Sequence, residues 1–335
     1  MKSHSLFAVA LSVLVTAGSY GSASAQKPGA TAGDDYPNRP VRILVPQAAG
    51  AGIDLQARVI AQKLAEIWGH PGVVENKAGA NAIIGLEAAA KAPPDGYTLV
   101  YAPVSGIVTN PFIYKTLPYD PLRDFAPITQ TVANPLGLVV NPASGLKSLA
   151  DVVARAKANP GQLHYGSFGI GNLTHLTGEL LSTTAGIRMT HVPYKGQTPE
   201  IADIASGQLQ MGFTITAGTT DLIASGKLNL LATFDGKRDE LFPDTPTATE
   251  LGFPGVVMLG WSGLLAPAGT PPRIIAKLHA DMMRVLKLPE VKDAIVKQGS
   301  RVAVSASPED FAHFIKAELD KYQAVIKAAG LEGSQ

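Results

Sequence analysis

A loop of small and polar residues in the middle of the chain has the composition of an anion-binding site. It lies in HYGSFGIGNLTHLTGELL, residues 164–181, where an extended apolar piece runs through glycines into residues with helical spacing. Glycines let an anion approach the backbone, and the N–H groups and dipole of a helix N-terminus attract negative charge. The segment indicates either a carboxylate-binding loop or a tight strand-to-helix turn capped by Asn172. The candidate residues are Ser167, Gly169, Asn172 and Thr174.

A second loop of the same design occurs in PQAAGAGIDLQAR, residues 46–58. Its small residues follow a predicted strand that ends at Pro46, and a helix begins near Asp54. Two such loops facing each other across a cleft could hold a carboxylate without catalysing a reaction. Asp54 would repel a bare anion, so it either caps the helix or accepts a hydrogen bond from water or from a ligand hydroxyl or amine.

Two pairs of hydroxyl residues follow other predicted strands. Ser105 and Thr109 come after YTLVYAP, and Thr214 and Thr216 lie at the end of LQMGFTI. Ligands of α/β sheets bind beyond the carboxyl ends of the strands, so each pair could line the cleft. Each pair could instead cap the helix that follows.

The motifs of common enzymes and metal sites do not occur in the sequence. There is no G-x-S-x-G elbow, no Walker loop, no H-E-x-x-H and no cysteine, and the histidines lack metal-ligand spacing. His175 and Glu179 are interpreted as an ordinary pair on one helix face. A net charge of +1 with 16% charged residues gives no field that favours nucleic acid. We expect no catalytic residue, metal, cofactor or nucleic-acid partner.

The first residues have the pattern of an export signal. MKSHSLFAVALSVLVTAGSYGSASAQ has Lys2 ahead of an apolar segment and ends in an A-x-A cleavage pattern. The apolar segment is shorter than the roughly 20 residues that a membrane anchor needs. We expect a signal peptide at residues 1–25 cleaved after Ala25, a flexible lead-in at residues 26–38, and an exported, soluble mature protein that does not insert into a membrane.

From Val41 onward, short β-rich runs alternate with amphipathic runs, which predicts an α/β fold with right-handed crossovers and a parallel sheet. A Pro-rich passage at residues 111–127 interrupts the alternation and predicts a surface segment before a second α/β unit. A length of 335 residues with 46% hydrophobic residues also indicates about two domains. The last helix has Ser307 as N-cap, Pro308 in its first turn and Gly330 at its end.

Many segments occur in an order that resembles the Bug family, the periplasmic solute receptors of tripartite tricarboxylate transporters. They cover nearly the whole mature chain and include YPNRPVRILVP, VVENKAGA, AAAKAPPDGYTL, HVPYKG, FPDTPTATELG and GLLAPAGTP. The resemblance implies a two-lobed periplasmic-binding-protein fold of the Venus-flytrap, type II-like kind, with a cleft between the lobes. We place lobe 1 at residues 39–133 and 259–335, and lobe 2 at residues 134–258.

In such receptors, backbone N–H groups and hydroxyls at two helix starts hold the ligand carboxylate. The resemblance implies a monomeric periplasmic receptor that delivers a small carboxylate to the membrane subunits of a tripartite transporter. Two alternatives remain open, namely a sensor subunit of a membrane kinase and an exported hydrolase. Carried onto this sequence, the implied ligand-binding residues are Ala49, Gly50, Ala51, Asp54, Ser167, Gly169, Asn172 and Thr174.

Three positions depart from the family's pattern. Ile53 removes a hydroxyl from the first loop, Thr214 stands where many relatives have an aspartate, and Phe168 adds an aromatic surface to the second loop. These changes make the predicted pocket less acidic and more apolar. We therefore expect an aromatic or otherwise apolar mono- or dicarboxylate as the ligand, rather than citrate.

Overall fold

The computed structural model describes residues 35–335, and the predicted signal peptide lies outside them. The end of the predicted lead-in is packed against the folded body. Tyr36 is buried, and its hydroxyl donates to the Gly96 carbonyl oxygen at 2.6 Å. The Tyr36 ring also meets Tyr97 edge-on, with 5.2 Å between the ring centroids. Tyr36 therefore anchors this end of the described chain.

Strands and helices alternate through the described residues. The strands are β1 (Val41–Val45), β2 (Gly72–Asn76), β3 (Thr98–Pro103), β4 (Phe125–Val140), β5 (His164–Ser167), β6 (Thr190–Pro193), β7 (Met211–Ile215), β8 (Asn229–Thr233), β9 (Leu259–Pro267) and β10 (Arg301–Val302). The α-helices are α1 (Gly52–Trp68), α2 (Ile83–Ala90), α3 (Asn110–Ile113), α4 (Leu149–Ala158), α5 (Leu173–Ala185), α6 (Gln197–Ser206), α7 (Thr220–Ala224), α8 (Pro272–Leu286), α9 (Pro289–Lys297) and α10 (Pro308–Ala328).

The strands form a sheet in the order β2-β1-β3-β9-β4-β7-β5-β6, with β8 and β10 also paired to β4. β1 is parallel to β2 and β3, and β5 is parallel to β6 and β7, as the alternation predicts. The middle of the sheet differs, since β9 is antiparallel to both β3 and β4. The prediction of a parallel sheet is wrong there, because the chain passes along β4 and returns along β9 in the opposite direction.

Strand β4 pairs with different strands along its length. Its first part pairs with β9 as far as Pro135, opposite Leu259. Its second part pairs with β7 from Leu136 onward, opposite Ile215. The chain thus changes partners within one strand, beside the positions where the sequence analysis divides the lobes. The lobe boundaries themselves stay a prediction.

Local signals determine where several helices begin and end. Ser307 Oγ accepts from the Asp310 N–H at 3.1 Å at the start of α10, and Gly69 ends α1 with a left-handed φ of 67°. The Pro-rich passage is only partly a loop, because β4 already begins at Phe125. Pro127 is tolerated in that strand because the register with β9 shifts directly after it, as at a β-bulge.

Candidate functional site

A cavity of about 560 Å³ lies at the carboxyl ends of the parallel strands. The segments that follow β1, β3, β5 and β7 all contribute to its wall, as ligand sites of α/β sheets do. The first turns of two helices also reach it, through Gly52 and Ile53 of α1 and through Leu173 and Thr174 of α5. The starts of α1 and α5 therefore border the same cavity.

Of the thirteen candidate residues named from the sequence, five line this cavity and eight do not; Thr109 is one that does, and Thr216 is one that does not. The other lining candidates are Ser105, Phe168, Asn172 and Thr174. The other candidates outside the lining are Ala49, Gly50, Ala51, Asp54, Ser167, Gly169 and Thr214. Both predicted loops still border the cavity, because Gln47 and Gly52 line it on either side of the first loop.

Asp54 holds the first loop in shape. Its carboxylate is buried and accepts hydrogen bonds from the Gly50 N–H at 2.8 Å, from Arg58 Nε at 3.0 Å and from Asn76 Nδ2 at 2.9 Å. Burial alone would raise the pKa of Asp54, but the hydrogen bonds from these three partners hold it below its ordinary value. The carboxylate is thus charged and fully engaged with the protein, behind the cavity wall.

The second loop uses its own side chains to satisfy its backbone. Asn172 caps α5, so the capping interpretation of the sequence is confirmed. The paired donors and acceptors are the Phe168 N–H with Thr174 Oγ1 (2.9 Å), the Gly169 N–H with Ser167 Oγ (3.1 Å), the Gly171 N–H with His175 Nδ1 (3.1 Å) and the Thr174 N–H with Asn172 Oδ1 (3.2 Å). These bonds give the loop a defined shape and leave the Asn172 and Thr174 side chains at the cavity wall.

Two stacked histidines support this loop from behind. The rings of His175 and His191 lie 3.8 Å apart between centroids, and His191 Nε2 is 2.6 Å from Ser167 Oγ. Burial lowers the pKa of His175 to about 3, with a smaller contribution from His191, and burial lowers the pKa of His191 to about 4. Ser167 is 0% exposed, and neither Ser167 nor His191 lines the cavity. The pair is structural, and the hydrolase alternative gains no support.

Thr214 lies behind the wall, next to a buried acid that the sequence analysis did not single out. Its hydroxyl accepts from Gln197 Nε2 at 3.1 Å, and Gln197 lines the cavity. Glu200, one turn further along α6, is buried, and burial raises its pKa to about 8. The site therefore has an acid on this side, but in a layer outside the wall.

Several wall residues escaped the sequence analysis, since none belongs to a recognisable motif. They are Gln56, Asn134, Gln197, Trp261, Lys297 and Ser300. For Gln56 a signal was present: it occupies the buried stripe of α1, where Ile53 and Ile60 are its apolar neighbours at helical spacing. A polar residue in an apolar stripe indicates a buried hydrogen bond or a ligand contact.

Among the described residues, the cavity is bordered by one charged residue, the exposed Lys297, and by no carboxylate. Together with two helix N-termini, this lysine makes the cavity attractive to an anion. No cluster of three or more histidine, aspartate or glutamate side chains suited to a metal ion occurs within residues 35–335. None of the helices described over the same range has both the length and the apolar character that crossing a membrane requires.

Near the cavity, the residues around β10 contact the segments that follow β7 and β8. Arg301 Nη2 lies 2.5 Å from Asp235 Oδ2, which joins β10 to the segment after β8. Gly299 is packed so closely against Ala217 that a Cβ at this position would lie 1.7 Å from the Ala217 Cβ. Only glycine fits there, and its φ of 77° also favours glycine. The contact brings the segment after α9 onto the segment after β7.

Comparisons with known proteins, both by sequence and by structure, find solute receptors and periplasmic proteins that resemble this chain. A profile of the family described as "Tripartite tricarboxylate transporter family receptor" matches residues 56–331. The protein BugT of Bordetella pertussis is 35% identical over 298 residues, which are 89% of this chain and 91% of BugT.

Two solved structures have the same fold. One, described as a periplasmic transporter, is 39% identical with a TM-score of 0.75, over 89% of this chain and 99% of that chain. The other, Rpa4515 of R. palustris with adipate, is 32% identical with a TM-score of 0.76, over 88% of this chain and 98% of that chain. The two-lobed fold expected from the sequence is confirmed by these likenesses.

Proposed function

Since the chain belongs to the tripartite tricarboxylate transporter family of receptors, we propose that it captures a small carboxylate between its lobes and delivers it to the membrane subunits of such a transporter. The family consists of solute-binding receptors rather than enzymes. The composition of the cavity wall is the main support for the proposal. The starts of two helices and the exposed Lys297 border the cavity, and no carboxylate in the described wall opposes an anion.

We assign direct ligand contacts to the predicted residues that line the cavity, namely Ser105, Phe168, Asn172 and Thr174. The remaining predicted residues act through the loops that they shape. Asp54 orders the first loop, and Ser167 orders the second through Gly169 and His191. Thr214 positions Gln197, which lines the cavity. Ala49, Gly50 and Ala51 supply the loop that Asp54 holds.

The wall supports an apolar body for the ligand. Phe168 and Trp261 are both part of the lining, and aromatic faces pack well against aromatic or methylene carbons. The adipate in the Rpa4515 structure is a dicarboxylate with a methylene chain, which is the same kind of molecule. We therefore propose a carboxylate with an apolar or aromatic portion, in preference to citrate.

Capture requires that the lobes close on the ligand. Contacts from both lobes to one ligand stabilise the closed arrangement, and this difference in affinity drives the closure. The Arg301–Asp235 ion pair and the close contact of Gly299 with Ala217 support a closed state of this kind. The solved relative described as a periplasmic transporter supports the periplasm as the site of action. We also propose, from the Ala23-Ser24-Ala25 pattern, that the signal peptide is cleaved after Ala25, and that the receptor works as a monomer.

A thermal-shift screen of the mature protein, beginning at Gln26, tests the proposal. The compounds are mono-, di- and tricarboxylates, aromatic acids and uncharged sugars. A ligand at 100 times its dissociation constant adds about 2.7 kcal/mol to the free energy of unfolding. We expect a rise of about 4 °C in melting temperature with one carboxylate class. A shift with uncharged compounds and with no carboxylate would refute the proposal.

Substitution of Lys297 tests whether this lysine attracts the carboxylate locally or only through the net charge of the protein. We expect Lys297→Gln to weaken carboxylate binding about fivefold, the effect of one charge at a hydrated contact distance. The matched control is Lys157→Gln, which makes the same change at an exposed position of α4 outside the cavity. Equal weakening by both substitutions would mean that Lys297 acts only through net charge.

A further inference from the structure

Three consecutive residues between β2 and α2 have a left-handed backbone. The φ angles are 46° at Ala80, 50° at Asn81 and 76° at Ala82. Residues other than glycine and asparagine rarely adopt this conformation, because their Cβ comes too close to the following carbonyl oxygen. Two of the three residues are alanines, so this turn is strained. Strain of this kind persists only where surrounding contacts hold it, and it clusters at functional sites.

Two hydrogen bonds connect the strained turn to Asn110, the first residue of α3. Asn81 Nδ2 donates to Asn110 Oδ1 at 2.7 Å, and Asn110 Nδ2 donates to the Asn81 carbonyl oxygen at 2.8 Å. The Asn81 carbonyl oxygen can only accept, which fixes the orientation of the Asn110 amide. Asn110 is 0% exposed, and a buried amide needs partners for its polar atoms. The two asparagines therefore hold each other in place.

Asn110 also closes a π-helical turn in the cavity wall. The turn covers Ser105–Thr109, and the Asn110 N–H donates to the Ser105 carbonyl oxygen, five residues earlier. Thr109 Oγ1 donates to the same oxygen at 3.1 Å. Turns of this wide type are rare and occur frequently at functional sites. Ser105 and Thr109 line the cavity, whereas Asn81 and Asn110 lie behind it.

The Ser105 side chain keeps its hydroxyl group available to a ligand. Its main-chain oxygen is used twice by the π-helical turn, but Ser105 Oγ has no hydrogen-bond partner among residues 35–335. Ser105 is partly exposed, and it lines the cavity. Thr109 differs, since it is 1% exposed and its hydroxyl is bonded to Ser105. A free serine hydroxyl can donate to a carboxylate oxygen.

We infer that Asn81 is a positioning residue of the binding site, which holds the Ser105 hydroxyl in place for the ligand carboxylate through Asn110 and the π-helical turn. The inference rests on the proposed function, since it assumes that a carboxylate occupies the cavity. The strained turn places the Asn81 amide against Asn110. Loss of that contact frees Asn110, and with it the bond that fixes the Ser105 main chain.

A double-mutant cycle of Asn81 and Ser105 tests this inference by isothermal titration of the mature protein. The probe is adipate, or the carboxylate with the largest thermal shift in the screen if adipate does not bind. Ser105→Ala removes the hydroxyl and should weaken binding about tenfold, the effect of one hydrogen bond to a charged group. Asn81→Gly should weaken binding about fivefold, because Ser105 is held less firmly. The double variant should lose only about tenfold, since Asn81 acts through the same hydroxyl, whereas independent effects would multiply to about fiftyfold.

Glycine at position 81 separates the role of the side chain from the strain of the backbone. It adopts a positive φ readily and keeps the main-chain oxygen that accepts from Asn110. The variant without ligand should therefore melt close to the wild-type temperature. The matched control is Ala80→Gly, which adds a glycine to the same exposed turn and keeps the Asn81 amide. We expect Ala80→Gly to bind the probe as tightly as wild-type protein.

Three results overturn the inference in different ways. If Asn81→Gly or Ser105→Ala binds the probe as tightly as wild-type protein, the amide or the hydroxyl has no part in binding. If the double variant loses about fiftyfold, Asn81 acts independently of Ser105. If Ala80→Gly weakens binding as much as Asn81→Gly, flexibility of the turn is responsible and not the Asn81 side chain. In all three cases carboxylates still bind and the proposed function survives, whereas failure of every carboxylate to bind refutes the proposed function and this inference together.

Discussion

Replacement of Glu200 by glutamine is expected to stabilise the protein at neutral pH much more than at pH 5. Glu200 is 0% exposed, and neither of its carboxyl oxygens has a hydrogen-bond partner among the described residues. Two glycines leave room for it, since a Cβ at Gly166 would lie 2.8 Å from Glu200 Cγ and a Cβ at Gly212 would lie 2.5 Å from Oε1. Burial raises the Glu200 pKa to about 8, with a smaller opposing effect from the Thr214 hydroxyl.

The size of the effect follows from the two pKa values. An ordinary glutamate titrates near 4.5, so the unfolded chain loses this proton above pH 4.5 while the folded protein keeps it until about pH 8. Between pH 4.5 and about pH 8, Glu200 is ionised in the unfolded state but not in the folded state. Ionisation therefore stabilises the unfolded state, and the free energy of unfolding falls as the pH rises. The slope is about 1.4 kcal/mol per pH unit. From pH 4.5 to pH 7 the loss reaches about 3 kcal/mol.

Urea denaturation of wild-type protein and Glu200→Gln at pH 5 and pH 7 measures this loss. Glutamine has nearly the same shape and no proton to lose, so any change in packing is the same at both pH values. We expect the advantage of the variant to grow by about 2 to 3 kcal/mol between the two conditions. His175 and His191 titrate in both proteins, so their contribution cancels in the difference.

The matched control is Glu332→Gln, which makes the same change at an exposed carboxyl group near the C-terminus. It measures the effect of the substitution where the side chain remains in water. A difference between Glu200→Gln and wild type that is the same at pH 5 and pH 7 would refute the reasoning. It would mean that Glu200 is ionised in the folded protein, or that local packing alone accounts for the effect.

Burial of His175 predicts a pH dependence of the opposite sign, because its pKa is lowered to about 3. The stability that neutral His175 provides is complete above pH 6.5 and declines as the pH falls toward 3. In urea denaturation, His175→Gln should therefore lose less stability than wild type between about pH 7 and pH 4.5. An equal loss in both proteins would contradict this prediction. Asp54→Asn weakens the hydrogen bonds from Gly50 and Arg58 and should lower the free energy of unfolding by about 1 to 3 kcal/mol. Thermal-shift titration should also show weaker carboxylate binding, and unchanged stability and binding would mean that Asp54 does not order the loop.

The sequence predicts the elements of this protein well where short-range chemistry decides them. Ser307 and Asn172 accept the capping bonds expected of them, and Gly69 ends α1 in a left-handed conformation. Such signals act over a few residues, so one chain segment contains all the information. The antiparallel pairing of β4 with β9 was missed, because strand direction depends on where a distant segment returns.

For the site, the sequence located the two loops but not all the atoms that face the cavity. Phe168, Asn172 and Thr174 line it as proposed from the loop composition and the family resemblance, whereas Asp54 and Ser167 are engaged in bonds behind the wall. Polar residue types indicate that a loop can bind a ligand. They do not indicate which donors the loop uses for itself, since that depends on the folded geometry.

The remaining wall residues come together only in the tertiary structure. Gln56 and Ser300 are 244 residues apart in sequence, yet their side chains share a hydrogen bond in the cavity wall. His191 reaches Ser167 across 24 residues because β5 and β6 are neighbours in the sheet. The sequence by itself thus determined the family, the alternation of elements and the helix caps, which rest on local patterns. Only packing decided which polar atoms remain free for a ligand, because each such atom is satisfied or left unpaired by residues remote in the chain.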